Sequence, residues 1–229
     1  MKKSIVTVNI ILSALALCGC TLFLLTGKVL FKGMGSFAFT LVGFFNLLYS
    51  VKAKKGKIAF CIFVFIGLFL AMIADVMLQF DFILGAIVFA MCHVFYFFAQ
   101  NFLNGYRAKD IVFTLVLFIF ALSVLFLFPG MNLDSLNVKA VCVIYSVIIS
   151  FMTGKAVANA FSLKTAFSSV IALATVLFFF SDVCLVIYLF SGVGRVANVI
   201  CLYTYYPAQI ILAYMIFFYK GIAKKTGGD

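Results

Sequence analysis

Residues 58–80, IAFCIFVFIGLFLAMIADVMLQF, hold one charged side chain, Asp75, in an apolar run long enough to cross a bilayer as a helix. Residues 166–190, AFSSVIALATVLFFFSDVCLVIYLF, repeat the pattern around Asp182. An Asp at the centre of such a helix costs about 2.5–3.5 kcal/mol on insertion scales, and an intramembrane carboxylate marks a functional position by default. The bland counterpart is a protonated Asp that merely donates a hydrogen bond between helices. Neither stretch carries a Lys or Arg of its own to neutralise the acid.

The chain around these two stretches has the same character. Of 229 residues, 67% are hydrophobic, 31 are Phe and six are acidic, and the mean hydropathy is +1.29. Soluble domains are about half apolar and a quarter charged, so that class is excluded. Apolar segments at about 5–26, 35–51, 58–80, 82–104, 110–128, 138–154, 166–190 and 194–219 predict eight spans. Lipid offers the backbone no hydrogen-bond partners, and no alternating polar-in pattern suggests a barrel, so the spans are helices. The expected fold is all-α: a polytopic transmembrane helix bundle forming one integral membrane domain over 1–229. In a bacterium its place is the cell membrane.

Orientation follows from the basic residues between spans. One side carries Lys2, Lys3, Lys52, Lys54, Lys55, Lys57, Arg107, Lys109, Lys155, Lys164, Lys220, Lys224 and Lys225; the other carries Lys28, Lys32, Lys139 and Arg195. Cytoplasmic loops are enriched in Lys and Arg, so both termini are expected in the cytoplasm. The net charge of +11 is first a topology signal, with attraction to anionic membrane lipid as a companion. No basic run with interleaved aromatics points to nucleic acid. The start, MKKSIVTVNIILSALALCGC, imitates a secretory signal, but the apolar run continues through TLFLLT and reads as a first span.

Seven cysteines fall almost wholly inside spans, without a CxxC pair, and read as small hydrophobes. The chain has one His and neither an HExxH motif nor a Cys/His cluster, so no metal and no cofactor are expected. There is also no GxSxG, and Ser181 points about 100° away from Asp182 on a helix, so adjacency does not make them nucleophile and base. Nothing in the sequence fixes an oligomeric state.

Two short breaks organise the polar residues. Spans three and four are separated by Asp81 alone, and spans seven and eight by residues 191–194, so each pair is a tight antiparallel hairpin. His93, Tyr96 and Gln100 recur at i, i+3 and i+7 on span four and share a face. On span eight, Tyr205 and Tyr206 precede Gln209 by four and three residues, with Pro207 expected to disturb the helix. Such stripes face a bundle interior, where the plain reading is interhelical hydrogen bonding worth about 0.6 kcal/mol a contact.

The strings MIADVMLQ, FILGAIVFAMCHVFYF, FFFSDVCLVIYL and YYPAQIILAY, in this order and spacing, resemble the motifs of the YhhN-like lysoplasmalogenase family of eight-span membrane proteins. The resemblance covers about residues 28–220. It implies hydrolysis of the vinyl ether bond of a lysoplasmalogen, a lysophospholipid, to a fatty aldehyde and glycerophosphoethanolamine or glycerophosphocholine. It also implies Asp75 and Asp182 as the catalytic pair, with His93 and Gln209 in support and Lys32 at the family's Lys-Pro. Two positions depart from the pattern: Ala74 replaces the Gly before the first Asp, and Gly33 replaces the Pro after Lys32, which loosens the assignment of Lys32 to the headgroup phosphate.

The residues suit this chemistry independently. A vinyl ether is hydrolysed by protonation of its alkene carbon, capture of the oxocarbenium ion by water, and collapse of the hemiacetal. Burial keeps one carboxyl protonated near neutral pH, and a second carboxyl nearby reinforces this. The other, ionised, stabilises the cation and activates water, as in paired-carboxylate glycosidases. The sequence leaves the roles open; the working assignment is Asp75 as acid and Asp182 as base, oriented by His93 and Tyr96. The rival from another class is a small-molecule or proton-coupled transporter, which also keeps Asp, His and Gln inside a bundle but favours broken helices and inverted repeats.

Overall fold

Every apolar segment folds as a helix in the computed structural model, which describes residues 2–53, 58–133 and 135–220. Lys54, Lys55, Lys57, Lys224 and Lys225 of the orientation count lie outside the described residues. The helices are α1 (Lys2–Thr26), α2 (Val29–Lys52), α3 (Ala59–Met77), α4 (Phe82–Leu103), α5 (Asp110–Leu127), α6 (Leu136–Leu163), α7 (Ala166–Phe190) and α8 (Arg195–Phe218). All eight are long and apolar enough to cross a membrane, which makes the chain a multi-pass helical membrane protein.

Packing sorts the helices into a ring and two flanks. Helices α2, α3, α4, α6, α7 and α8 touch in that order, and α8 closes back on α2. Helix α1 lies outside against α2 and α8, and α5 lies outside against α6. The flanking helices are accordingly the least buried of the eight. Polar pairs fasten α1: Asn9 donates to Asn46 at 2.7 Å, and Thr21 meets Tyr203 at 3.0 Å. The ring closes through Asn46 and Ser50, which donate to the carbonyls of Ala213 and Ile216, both at 3.0 Å.

The hairpins form, with one adjustment. Asp81 caps α4 by accepting from the Leu84 N–H at 2.9 Å, but α3 ends at Met77, so the connection is residues 78–81 rather than Asp81 alone. Gly85 admits the close approach this turn demands, because a Cβ there would stand 2.6 Å from Leu78 Cα. The second hairpin turns at residues 191–194 as expected, with Gly192 and Gly194 both at φ +72°, backbone that glycine adopts without strain.

Two helices exceed their expected length, for one reason. Helix α2 begins six residues before position 35 and α6 runs nine residues past position 154. Their extra turns carry Lys32 and Lys155, which the sequence places in loops but which are buried, at 4% and 0% exposure. Each finds a carboxylate on another helix: Lys32 Nζ lies 3.4 Å from Asp75 Oδ1, and Lys155 Nζ lies 2.7 Å from Asp110 Oδ2. A paired, hydrogen-bonded charge is tolerated inside a bundle where a lone one is not. One cation thus leaves each side of the orientation count, and its bias keeps its sign. Helix α8 continues through Pro207, which has no N–H to give the Tyr203 carbonyl.

Candidate functional site

Asp75 and Asp182 open onto one cavity of about 260 Å³ at the end of the bundle that carries the two hairpin turns. Its lining combines Lys32, Gln79, Asn198 and Tyr205 with apolar Phe23, Leu78, Phe89, Leu185 and Leu202. Asp75 sits two residues before the end of α3, closer to the turn than its place in the predicted span. Asp182 lies eight residues from the end of α7.

The two acids have different partners. Asp75, 2% exposed, faces the Lys32 ammonium and accepts from the hydroxyls of Ser36 and Tyr205 on Oδ2, at 2.5 and 2.7 Å. A cation and two hydroxyl donors are the complement an anion takes. Tyr206 braces this corner by donating to the Lys32 carbonyl at 3.0 Å. Asp182 instead accepts from the Tyr145 hydroxyl at 2.6 Å, and His93 Nε2 stands 3.2 Å from the same Oδ2 and 2.7 Å from the Tyr145 oxygen. The Nε2–H tautomer of His93 fits this arrangement, since Tyr145 spends its only proton on Asp182. His93 Nδ1 has no hydrogen-bond partner among the described residues.

The sequence-derived residues divide. Lys32, Asp75, Asp182 and Tyr205 line the cavity; His93 reaches it through Asp182. Tyr96 does not orient either acid: its hydroxyl donates to Gln209 Oε1 at 2.7 Å, a buried bond that ties α4 to α8 away from the cavity. The Tyr96 ring packs against Gly67, where any Cβ would overlap it. Ser181 does reach Asp182, at 3.3 Å from Oδ1, although its shorter bond, 2.7 Å, goes to the Phe178 carbonyl.

The model of the YhhN family matches residues 39–216, a span that holds both acids, both hairpins and the Tyr96–Gln209 tie. The chain belongs to the YhhN family. That family includes lysoplasmalogenases. Comparison with curated proteins and with solved structures gives no match. The YhhN match begins after Lys32 and Ser36, so two of the three partners of Asp75 come from outside it.

Sequence reasoning passed over Ser36 and Tyr145. Ser36 lies inside the predicted span, but its place one helical turn after Lys32 becomes visible only when α2 is extended back to Val29. Tyr145 stands in VCVIYSVIIS between apolar neighbours at helical spacing, Ile148, Ile149 and Met152, and beside Ser146, so nothing on its own helix singles it out. Replacing Tyr145 with Phe removes a hydrogen bond that is worth about 1.5–3 kcal/mol to Asp182 in its carboxylate form, so any turnover that develops charge on Asp182 should fall by at least about tenfold. Steady-state kinetics of Tyr145→Phe beside the unchanged protein measure this, and an unaltered rate would remove Tyr145 from the site.

Proposed function

We propose that this protein hydrolyses the vinyl ether bond of lysoplasmalogens, releasing a fatty aldehyde and a glycerophospho-alcohol. The observation that carries the reading is one cavity bounded by two acids with opposite surroundings, an Asp–Lys ion pair and an Asp–His–Tyr cluster. Acid-assisted hydrolysis needs both a proton donor and a standing negative charge.

The partner sets favour the reverse of the working assignment. Asp182 carries the proton and passes it to the alkene carbon, forming a C–H bond and leaving an oxocarbenium ion. His93 and Tyr145 then hold the new Asp182 carboxylate through Oδ2. Asp75, kept anionic by Lys32, Ser36 and Tyr205, stabilises the cation across the cavity and draws a proton from the attacking water. Collapse of the hemiacetal breaks the C–O bond: Asp75 passes the proton it drew from water to the departing glycerol oxygen, and the hemiacetal hydroxyl gives its proton to Asp182, so both acids are restored and one water is consumed. The carbons of Phe23, Phe89, Leu185 and Leu202 shield the cation from bulk water. Helices α3 and α7 run unbroken through their acids, which favours this reading over a carrier built on interrupted helices.

The deciding experiment is aldehyde release from lysoplasmalogen vesicles by purified protein, with a saturated ether lysolipid as control. Aldehyde from the vinyl ether alone supports the reading; none from folded protein ends it. The proposed orientation keeps both termini in the cytoplasm and opens the cavity toward the opposite face. Phe80→Cys, in the first hairpin turn and 79% exposed in the parent residue, should then react with a membrane-impermeant maleimide in intact cells. Arg107→Cys, exposed in the turn before α5, should react only after permeabilisation.

A further inference from the structure

The geometry points to the crevice between α4, α5, α6 and α7 as the seat of the substrate's hydrocarbon chain, an assignment that rests on the vinyl ether reading of the neighbouring cavity. The crevice measures about 50 Å³ and shares Leu78, Phe89, Asp182 and Leu185 with the 260 Å³ cavity, so the two spaces adjoin at these four side chains. At roughly 10–15 Å³ for each water-sized position, the crevice is about four positions in extent and the cavity on the order of twenty. One space is narrow and the other is roomy.

Their walls differ as much as their sizes. The crevice is faced by Val124, Leu125, Val141, Ile149, Phe179 and Val186. Its polar groups are spoken for: the Tyr145 hydroxyl donates to Asp182, and the Ser146 hydroxyl donates to the Cys142 carbonyl at 2.8 Å. A phosphodiester would find no donor there and would be stripped of water without compensation. The larger cavity offers the amides of Gln79 and Asn198 and the Lys32 ammonium, which has three protons. An amphiphile with one chain spans the pair in a single sense, headgroup in the cavity and chain in the crevice. In a lysoplasmalogen the headgroup backbone gives way to the chain at the vinyl ether itself, and the one acid on the wall that the two spaces share is Asp182. The join between the two spaces therefore sets which bond meets the acid, and Ala86 and Ala121, small residues on the crevice wall, leave room for the chain beyond it.

The test uses a saturated ether lysolipid carrying a diazirine a few carbons below the ether, photolysed with the unaltered protein in vesicles and mapped by peptide mass spectrometry. Adducts within 121–125 or 141–149 are expected; adducts confined to Phe23, Leu202 and their neighbours overturn the assignment. This readout needs no turnover, so crevice adducts without aldehyde release would sink the hydrolase reading and keep the chain seat. A second arm uses Ala121→Phe, which fills the crevice. Displacing two buried methylenes is enough for about tenfold, so the ratio of kcat/KM for a hexadecenyl over a hexenyl vinyl ether should fall by at least that factor. An unchanged ratio overturns the assignment.

Discussion

Asp182→Asn lowers aldehyde release from a vinyl ether lysolipid by about a hundredfold to ten-thousandfold, the range associated with a positioned general acid. The amide matches the carboxyl in shape and can still accept from Tyr145 on its oxygen, so the bonds that hold α4, α6 and α7 together at this point are largely kept. What is lost is the transferable proton. The fall should therefore sit in kcat, while KM and the binding of a saturated ether lysolipid stay within a few fold. Rates measured under single-turnover conditions separate the chemical step from product release. A variant that retains more than a tenth of the parent rate would show that Asp182 is not the acid.

Lys32→Met should produce the largest loss of stability among substitutions at the site. Removing one partner of a buried ion pair leaves the other charge uncompensated, at a cost of about 3–5 kcal/mol. Here the orphan is Asp75, 2% exposed, with the hydroxyls of Ser36 and Tyr205 left to solvate it. The double variant Lys32→Met/Asp75→Asn removes both charges and should regain most of that stability, because a neutral amide still suits two hydroxyl neighbours. Activity should stay lost in the double variant, since the anion facing the cation is gone. Unfolding by SDS titration in mixed micelles reads the first quantity and aldehyde release the second. Equal stability of the single and double variants would show that the ion pair carries no coupling, and recovery of activity in the double variant would remove Asp75 from the chemistry.

The spans could be read from the sequence because a bilayer imposes length and polarity on each helix separately, and α7 falls at residues 166–190, as its apolar run predicts. The shortfalls lie where a residue depends on a partner far along the chain. Lys32 and Lys155 look like loop cations until Asp75 and Asp110 are placed beside them, and each pair is joined only by tertiary packing. The candidate site divides on the same line. Its acids stand out because a carboxylate in an apolar run is expensive on local grounds alone. Tyr145 and Ser36 are unexceptional in their own helices and gain meaning from acids on α7 and α3. Tyr96 shows the converse error: its place on the His93 face suggested an orienting role, yet its hydroxyl goes to Gln209 on α8 while His93 meets Asp182 on α7.

The closure of the ring between α2 and α8 bears on how the chain is made. Asn46 and Ser50 emerge early in synthesis, but the Ala213 and Ile216 carbonyls that receive them belong to the last helix. The same delay holds for α1, whose Thr21 meets Tyr203 across 182 residues of chain. Until α8 leaves the ribosome, the ring stands open along one side, and Asp75 lacks the Tyr205 hydroxyl that completes its surroundings. The surroundings of Asp75 are thus completed only when α8 packs, whereas Asp182 already has Tyr145 and His93 from earlier helices, and a chain that stalls before its eighth helix leaves Asp75 one hydroxyl short.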